Sequence, residues 1–68
     1  MTYAKLKQIT QGKHLPAIGQ NESGEHIIIE QGADDGGRFF RTTCAQSNGW
    51  VRVNTYYADG STEELYDK

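Results

Sequence analysis

Cysteine is nearly absent: Cys44 is the only one in the chain. A disulfide within one molecule is therefore excluded, and no covalent staple supports a domain of 68 residues. Cys44, His14 and His26 show no paired-ligand spacing, which argues against zinc, and no other metal or cofactor is expected. A lone thiol fits a reducing compartment. Long apolar runs are missing too. Nothing approaches the ~20 residues of a membrane-crossing helix, and no charged-then-apolar leader opens the chain. A cytoplasmic location without membrane contact is the expectation. Excess cationic charge is also lacking. The formal net charge is −2, which disfavours non-specific nucleic-acid binding driven by counterion release. There is no charge block, low-complexity tract or internal repeat.

What is present is a β pattern punctuated by turns. Residues 1–68 are expected to form one domain. His26 to Gln31 is the most β-branched run and the plainest strand. Arg38 to Ala45, Trp50 to Tyr57 and Ser61 to Tyr66 follow as strands. Asp35-Gly36, Asn48-Gly49 and Asp59-Gly60 mark the turns between them. Leu15 to Gly19 contains Pro16, which cannot donate a ladder hydrogen bond, so it reads as an edge strand or an irregular extended piece. Residues 2–11 read two ways. As a helix, Thr2 caps the start, Tyr3 and Leu6 stack at i,i+3, and Gly12 ends it. As a strand, Tyr3, Lys5, Lys7 and Ile9 share one face; the alternation is poor, but the helix would be short, and the strand is the preferred reading.

Five short extended segments at close spacing predict a mainly β chain, a small antiparallel β-meander. The layout of short hairpins resembles small barrels of the SH3-like or OB-like kind. That resemblance implies a sheet curled toward closure, and such barrels host many unrelated functions.

Even-length hairpin loops would set the faces. Ile27, Ile29, Phe40, Thr42 and Cys44 would then share a core face with Val51, Val53, Tyr57 and Tyr66. The other face would carry His26, Ile28 and Glu30, then Phe39 and Arg41. It would continue through Trp50, Arg52, Asn54 and Tyr56 to Glu63, Leu65 and Asp67. On it Glu30 would oppose Arg41 and Arg52 would oppose Asp67. A solvated face does not need a tryptophan and a phenylalanine. Residues 2–19, a second copy of the chain, or another ligand would cover it.

Six residues of that face form the candidate binding site: Trp50, Arg52, Tyr56, Phe39, Arg41 and Leu65. Aromatic and arginine side chains are the types enriched at interface hot spots. The expected function is a small non-enzymatic module that binds a partner protein or itself. The alternative is a single-stranded nucleic-acid binder, with bases stacked on the rings and phosphates held by the arginines.

Enzymatic chemistry finds no constellation. Asp34 and Asp35, in the glycine-rich Gly32 to Gly37 loop, lack the spacing of a calcium loop, and no P-loop lysine follows. Cys44 belongs to the core face and His26 to the other, so a nucleophile–base pair is not expected. Glu63 and Glu64 are neighbours on a strand and point apart.

Overall fold

The computed structural model describes residues 1–67. One helix, α1 (Tyr3–Ile9), precedes five strands: β1 (Ala17–Gln20), β2 (His26–Asp34), β3 (Gly37–Ala45), β4 (Val51–Tyr57) and β5 (Thr62–Asp67). The strands pair antiparallel in sequence order, as a meander with β1 and β5 at its edges. Among the described residues the sheet stays open, with no pairing of β1 to β5 that would close a barrel.

The strand preferred for the N-terminal segment is corrected to a helix. Thr2 has extended backbone angles, and its Oγ1 accepts a hydrogen bond from the Lys5 N–H at 3.1 Å. That satisfies one of the orphan donors of the first turn. Seven residues do not hold a helix in water by themselves. The stripe Tyr3, Leu6 and Ile9 supplies the rest by packing on the sheet. Leu6 is fully buried, and the Tyr3 ring lies 5.0 Å from that of Phe40. The Thr10 hydroxyl closes the far end by donating to the Leu6 carbonyl at 2.7 Å. The apolar residues of this short segment repeat every third position, a helical spacing that strand alternation does not reveal.

The β2–β3 register is the expected one, with Glu30 opposite Arg41 and Ile29 opposite Thr42. The two later hairpins differ from expectation by one residue. In each, a turn closes on a glycine with positive φ, and a three-residue loop results. Gln46 N–H donates to the Trp50 carbonyl at 2.7 Å, and Tyr57 N–H to the Ser61 carbonyl at 2.9 Å. Gly49 (φ 86°) and Gly60 (φ 93°) take the left-handed position. Asn48 and Asp59 keep negative φ, so neither Asn-Gly nor Asp-Gly forms a type I′ pair. Their side chains serve as local acceptors instead. Asn48 Oδ1 takes the Trp50 N–H at 3.0 Å and Asp59 Oδ1 the Ser61 N–H at 2.8 Å.

This slip inverts β4. Phe40 faces Tyr56, Thr42 faces Asn54 and Cys44 faces Arg52. Val51, Val53 and Tyr57 therefore leave the expected core face, and Arg52, Asn54 and Tyr56 join it. The second slip cancels the first, so β5 keeps its expected orientation. Leu65 pairs with Val53 and Tyr66 with Arg52, in place of the Val53–Tyr66 and Arg52–Asp67 pairs expected.

The core lies between α1 and the sheet. Leu6, Ile27, Ile29, Phe40 and Cys44 are buried there, with Met1, Tyr3, Ile9, Leu15 and Tyr56 packed around them. The N-terminal segment thus covers the Ile27–Ile29 face. Among the described residues, the opposite face carries no second layer.

Candidate functional site

The six candidate residues divide between the two faces. Phe39, Arg41 and Leu65 lie on the uncovered face, while Arg52 and Tyr56 lie on the side of α1, over the β4–β5 half of the sheet. Trp50 precedes β4, at 38% exposure, beside Gln46, Asn48 and Tyr66. A single aromatic and arginine platform is therefore not formed.

The uncovered face is organised in rows that cross the strands. One row runs Ile18, Ile28, Thr43, Val53, Leu65, each residue opposite the next. It crosses all five strands and contains no charge. Ile18 is 72% exposed, Ile28 47% and Leu65 61%. A shallow depression of about 280 Å3 flanks this row, its lining including Ile18, His26, Ile28, Thr43, Ala45 and Val51. The next row is polar: Glu30, Arg41, Thr55, Glu63.

A third row, Gly32, Phe39, Tyr57, buries its rings without any covering layer. Phe39 lies across Gly32, where a Cβ would sit 2.6 Å from the Phe39 Cζ. The glycine leaves the slot that the ring fills. The Arg41 guanidinium stacks on the ring at 4.6 Å, and Tyr57 meets it edge-on at 5.6 Å. Arg41 Nε donates to Thr55 Oγ1 at 3.2 Å, which fixes the stack. The Tyr57 hydroxyl donates to Asp34 Oδ2 at 2.8 Å. That hydrogen bond, with some burial, raises the Tyr57 pKa above its ordinary value. Phe39 and Arg41 are thus committed to each other, and Leu65 belongs to the open apolar row.

On the helix side, Arg52 Nη2 pairs with Glu25 Oε1 at 3.3 Å. Burial works to lower the Arg52 pKa, but the Tyr66 hydroxyl and the Glu25 carboxylate outweigh it and raise it. Glu25 is held below its ordinary range, first by the Asn21 side-chain amide and then by Arg52. Burial, and then the Glu25 carboxylate, push the Cys44 thiol up. Both effects favour the protonated thiol. The side chains of Thr42, Cys44, Arg52, Asn54 and Tyr56 line a small polar cleft of about 200 Å3. His26 lies on the uncovered face, away from Cys44.

Sequence reasoning missed Ile18 and Val53 as surface elements. Ile18 sits on an edge strand that the sequence marked only by its proline. Val53 was placed in the core by the loop-length assumption. The signal for Val53 was the spacing of Gln46 to Trp50 and of Tyr57 to Ser61, each with glycine fourth of five residues.

Among the described residues, no helix is long and apolar enough to cross a membrane. Comparison of the chain with protein-family models, with curated proteins and with solved structures finds no match.

Proposed function

We propose that the chain is a small, non-enzymatic protein-interaction module of the cytoplasm, and that its binding surface is the uncovered face of the sheet. The observation that carries this reading is the charge-free row of Ile18, Ile28, Thr43, Val53 and Leu65. A charge-free row that exposes Ile18, Ile28 and Leu65, with Thr43 and Val53 half-buried between them, marks an interaction site. The occupant is a second copy of the chain. The molecule measures 31 × 26 × 18 Å, so its sheet face offers at most about 800 Å2. That upper bound matches the roughly 800 Å2 one partner contributes to a standard interface, so a stacked pair would need nearly the whole face. Two such faces stacked in an aligned sandwich bring apolar row onto apolar row. The adjacent row of Glu30, Arg41 and Glu63, between the apolar row and the Phe39 row, gives each copy both signs of charge within the face.

The cytoplasmic placement is supported by the buried, free thiol of the only cysteine. The nucleic-acid reading has less geometric support, because Arg41 and Arg52 lie on opposite faces. Phosphates and stacked bases would meet one arginine at a time.

Sedimentation and methyl NMR on dilution from about 1 mM to about 10 μM test the proposal, since weak dimers dissociate over that span. The Ile28, Val53 and Leu65 methyls are expected to move with dilution while those of Leu6 and Ile29 stay. Ile28→Lys is expected to leave a monomer at every concentration. A wild-type chain that sediments as a monomer at about 1 mM, with those methyls unmoved, would sink the proposal.

A further inference from the structure

The two edges of the sheet are not alike. β1 is four residues long, contains Gly19 and follows Pro16. It offers a short, blunted edge. β5 has six residues, none of them glycine or proline, and all are exposed. Its register with β4 runs unbroken from Thr62 to Asp67. The hydrogen-bonding direction along β5 follows from the turn. Tyr57 N–H bonds the Ser61 carbonyl, so the alternate residues Glu63 and Leu65 turn their backbone groups toward β4. Thr62, Glu64 and Tyr66 turn theirs outward. The β5 edge therefore presents three consecutive donor–acceptor slots to an added strand.

Its side chains select what can be added. Glu63 stands on the uncovered face opposite Thr55, and Glu64 on the helix side opposite Asn54. Neither makes an ion pair among the described residues. Soluble proteins commonly guard such an edge with lysine. Here both faces of the edge carry a carboxylate. A second β5 would bring carboxylates against carboxylates, which is unfavourable across a strand pair. Leu65 ends the apolar row, and Tyr66 borders a depression of about 340 Å3 lined by Gln46, Asn48 and Trp50.

We infer that β5 is a docking edge for an extended basic segment of another protein, which adds as a sixth strand. In antiparallel orientation the segment reads apolar, apolar, basic, basic. Its first two residues oppose Tyr66 and Leu65, and its last two oppose Glu64 and Glu63. Strand addition takes its affinity from main-chain hydrogen bonds and its selectivity from alternate side chains. This surface shares Leu65 and Glu63 with the stacked face above, but its hydrogen bonds come from the backbone edge of β5, so the inference does not rest on the stacked pair.

The test is an NMR titration of the full chain with a capped peptide: two threonines, tyrosine, valine, two lysines, two threonines. The control peptide has glutamate for both lysines. The basic peptide is expected to bind below about 1 mM and the acidic one not to bind. On binding, the amides of Thr62, Glu64 and Tyr66 become protected from hydrogen exchange, while those of Glu63 and Leu65, already bonded to β4, change little. Glu64→Pro removes one outward donor and no bond to β4. It should weaken binding by about tenfold or more with the β1–β3 spectrum unchanged. The double variant Glu63→Lys with Glu64→Lys reverses the preference between the two peptides. The inference fails if the peptide binds without protecting those three amides, or if both peptides bind alike. It fails equally if neither binds, or if the three amides are already protected by β5–β5 pairing in concentrated protein alone.

Discussion

Ile27, Ile28 and Ile29 are three identical side chains in a row on β2, and their fates differ. Ile27 and Ile29 keep 3% and 2% of their surface, while Ile28 keeps 47%. The first and third lie under α1, and the second lies on the face with no layer above it. Burial here is set by what covers a face rather than by residue type. The row of Gly32, Phe39 and Tyr57 shows the exception. There a ring reaches 8% exposure on the open face by lying over a glycine and beneath an arginine. A face can thus bury a local patch from its own side chains, but the Ile18–Leu65 row has no such partners and stays open.

The strongest way to break the difference is to remove the cover. Leu6 is the largest fully buried side chain and joins α1 to the sheet. Leu6→Ala is expected to cost about 2–5 kcal/mol in urea unfolding. For a domain this small, that is much of the total stability. A loss below about 1 kcal/mol would mean that the helix is not a packing layer, and the two faces would be equivalent.

Gly32→Ala attacks the exception on the other face. A methyl there meets the Phe39 ring at 2.6 Å, so the ring must leave its slot or the strands must shift. The expected cost is about 1–3 kcal/mol, with the Arg41 and Tyr57 contacts to the ring disturbed. Phe39→Leu combined with Gly32→Ala should recover part of that loss, because the shorter side chain vacates the space. No recovery would show that Gly32 serves β2 itself and not the ring.

Tyr56 and Tyr57 extend the comparison to pH, since they are neighbours on opposite faces. Both pKa values are raised, Tyr56 chiefly by burial and Tyr57 chiefly by its hydrogen bond to Asp34. A raised tyrosine pKa means that the folded state holds the phenolic proton more tightly than the unfolded chain does. The linked stability is complete below the ordinary tyrosine value of about 10 and is lost as pH rises through the folded value. In an ultraviolet titration, Tyr56 and Tyr57 should therefore ionise late. Asp34→Ala should bring Tyr57 back toward the ordinary value and leave Tyr56 raised. If both return together, the two faces do not titrate independently.

The order and type of the strands were legible because each run is bounded by Gly, Asn or Asp turns. The candidate site was not, and the cause is one residue of loop length. Asn-Gly and Asp-Gly suit a two-residue type I′ loop, yet they also suit a turn that ends on a left-handed glycine. Nothing within those dipeptides separates the two. The discriminating feature is where the flanking pair forms, Gln46 with Trp50 and Tyr57 with Ser61. Because side chains alternate, that slip moved Arg52 and Tyr56 beneath the sheet and brought Val53 into the open row. The helix was missed for a related reason. Its stability lies in Leu6 and Tyr3 packing on Phe40, a contact 34 or more residues away in sequence that no local pattern displays.

The smallest expected effect sharpens the contrast most. Ile28→Ala removes the same atoms as Ile29→Ala, one residue along the same strand. In dilute monomer it should cost well under about 1 kcal/mol, because the side chain is already half in water, whereas Ile29→Ala should cost about 2–5 kcal/mol. Protein concentration then becomes the diagnostic variable. If a second copy occupies the open row, folding is linked to association, and unfolding midpoints rise with protein concentration. Ile28→Ala would abolish that rise and so grow more costly as concentration increases. Ile29→Ala would shift the midpoint by a similar amount at every concentration. A wild-type midpoint that does not move with concentration, together with a constant small cost for Ile28→Ala, would leave the row open to water and remove the basis for the stacked pair.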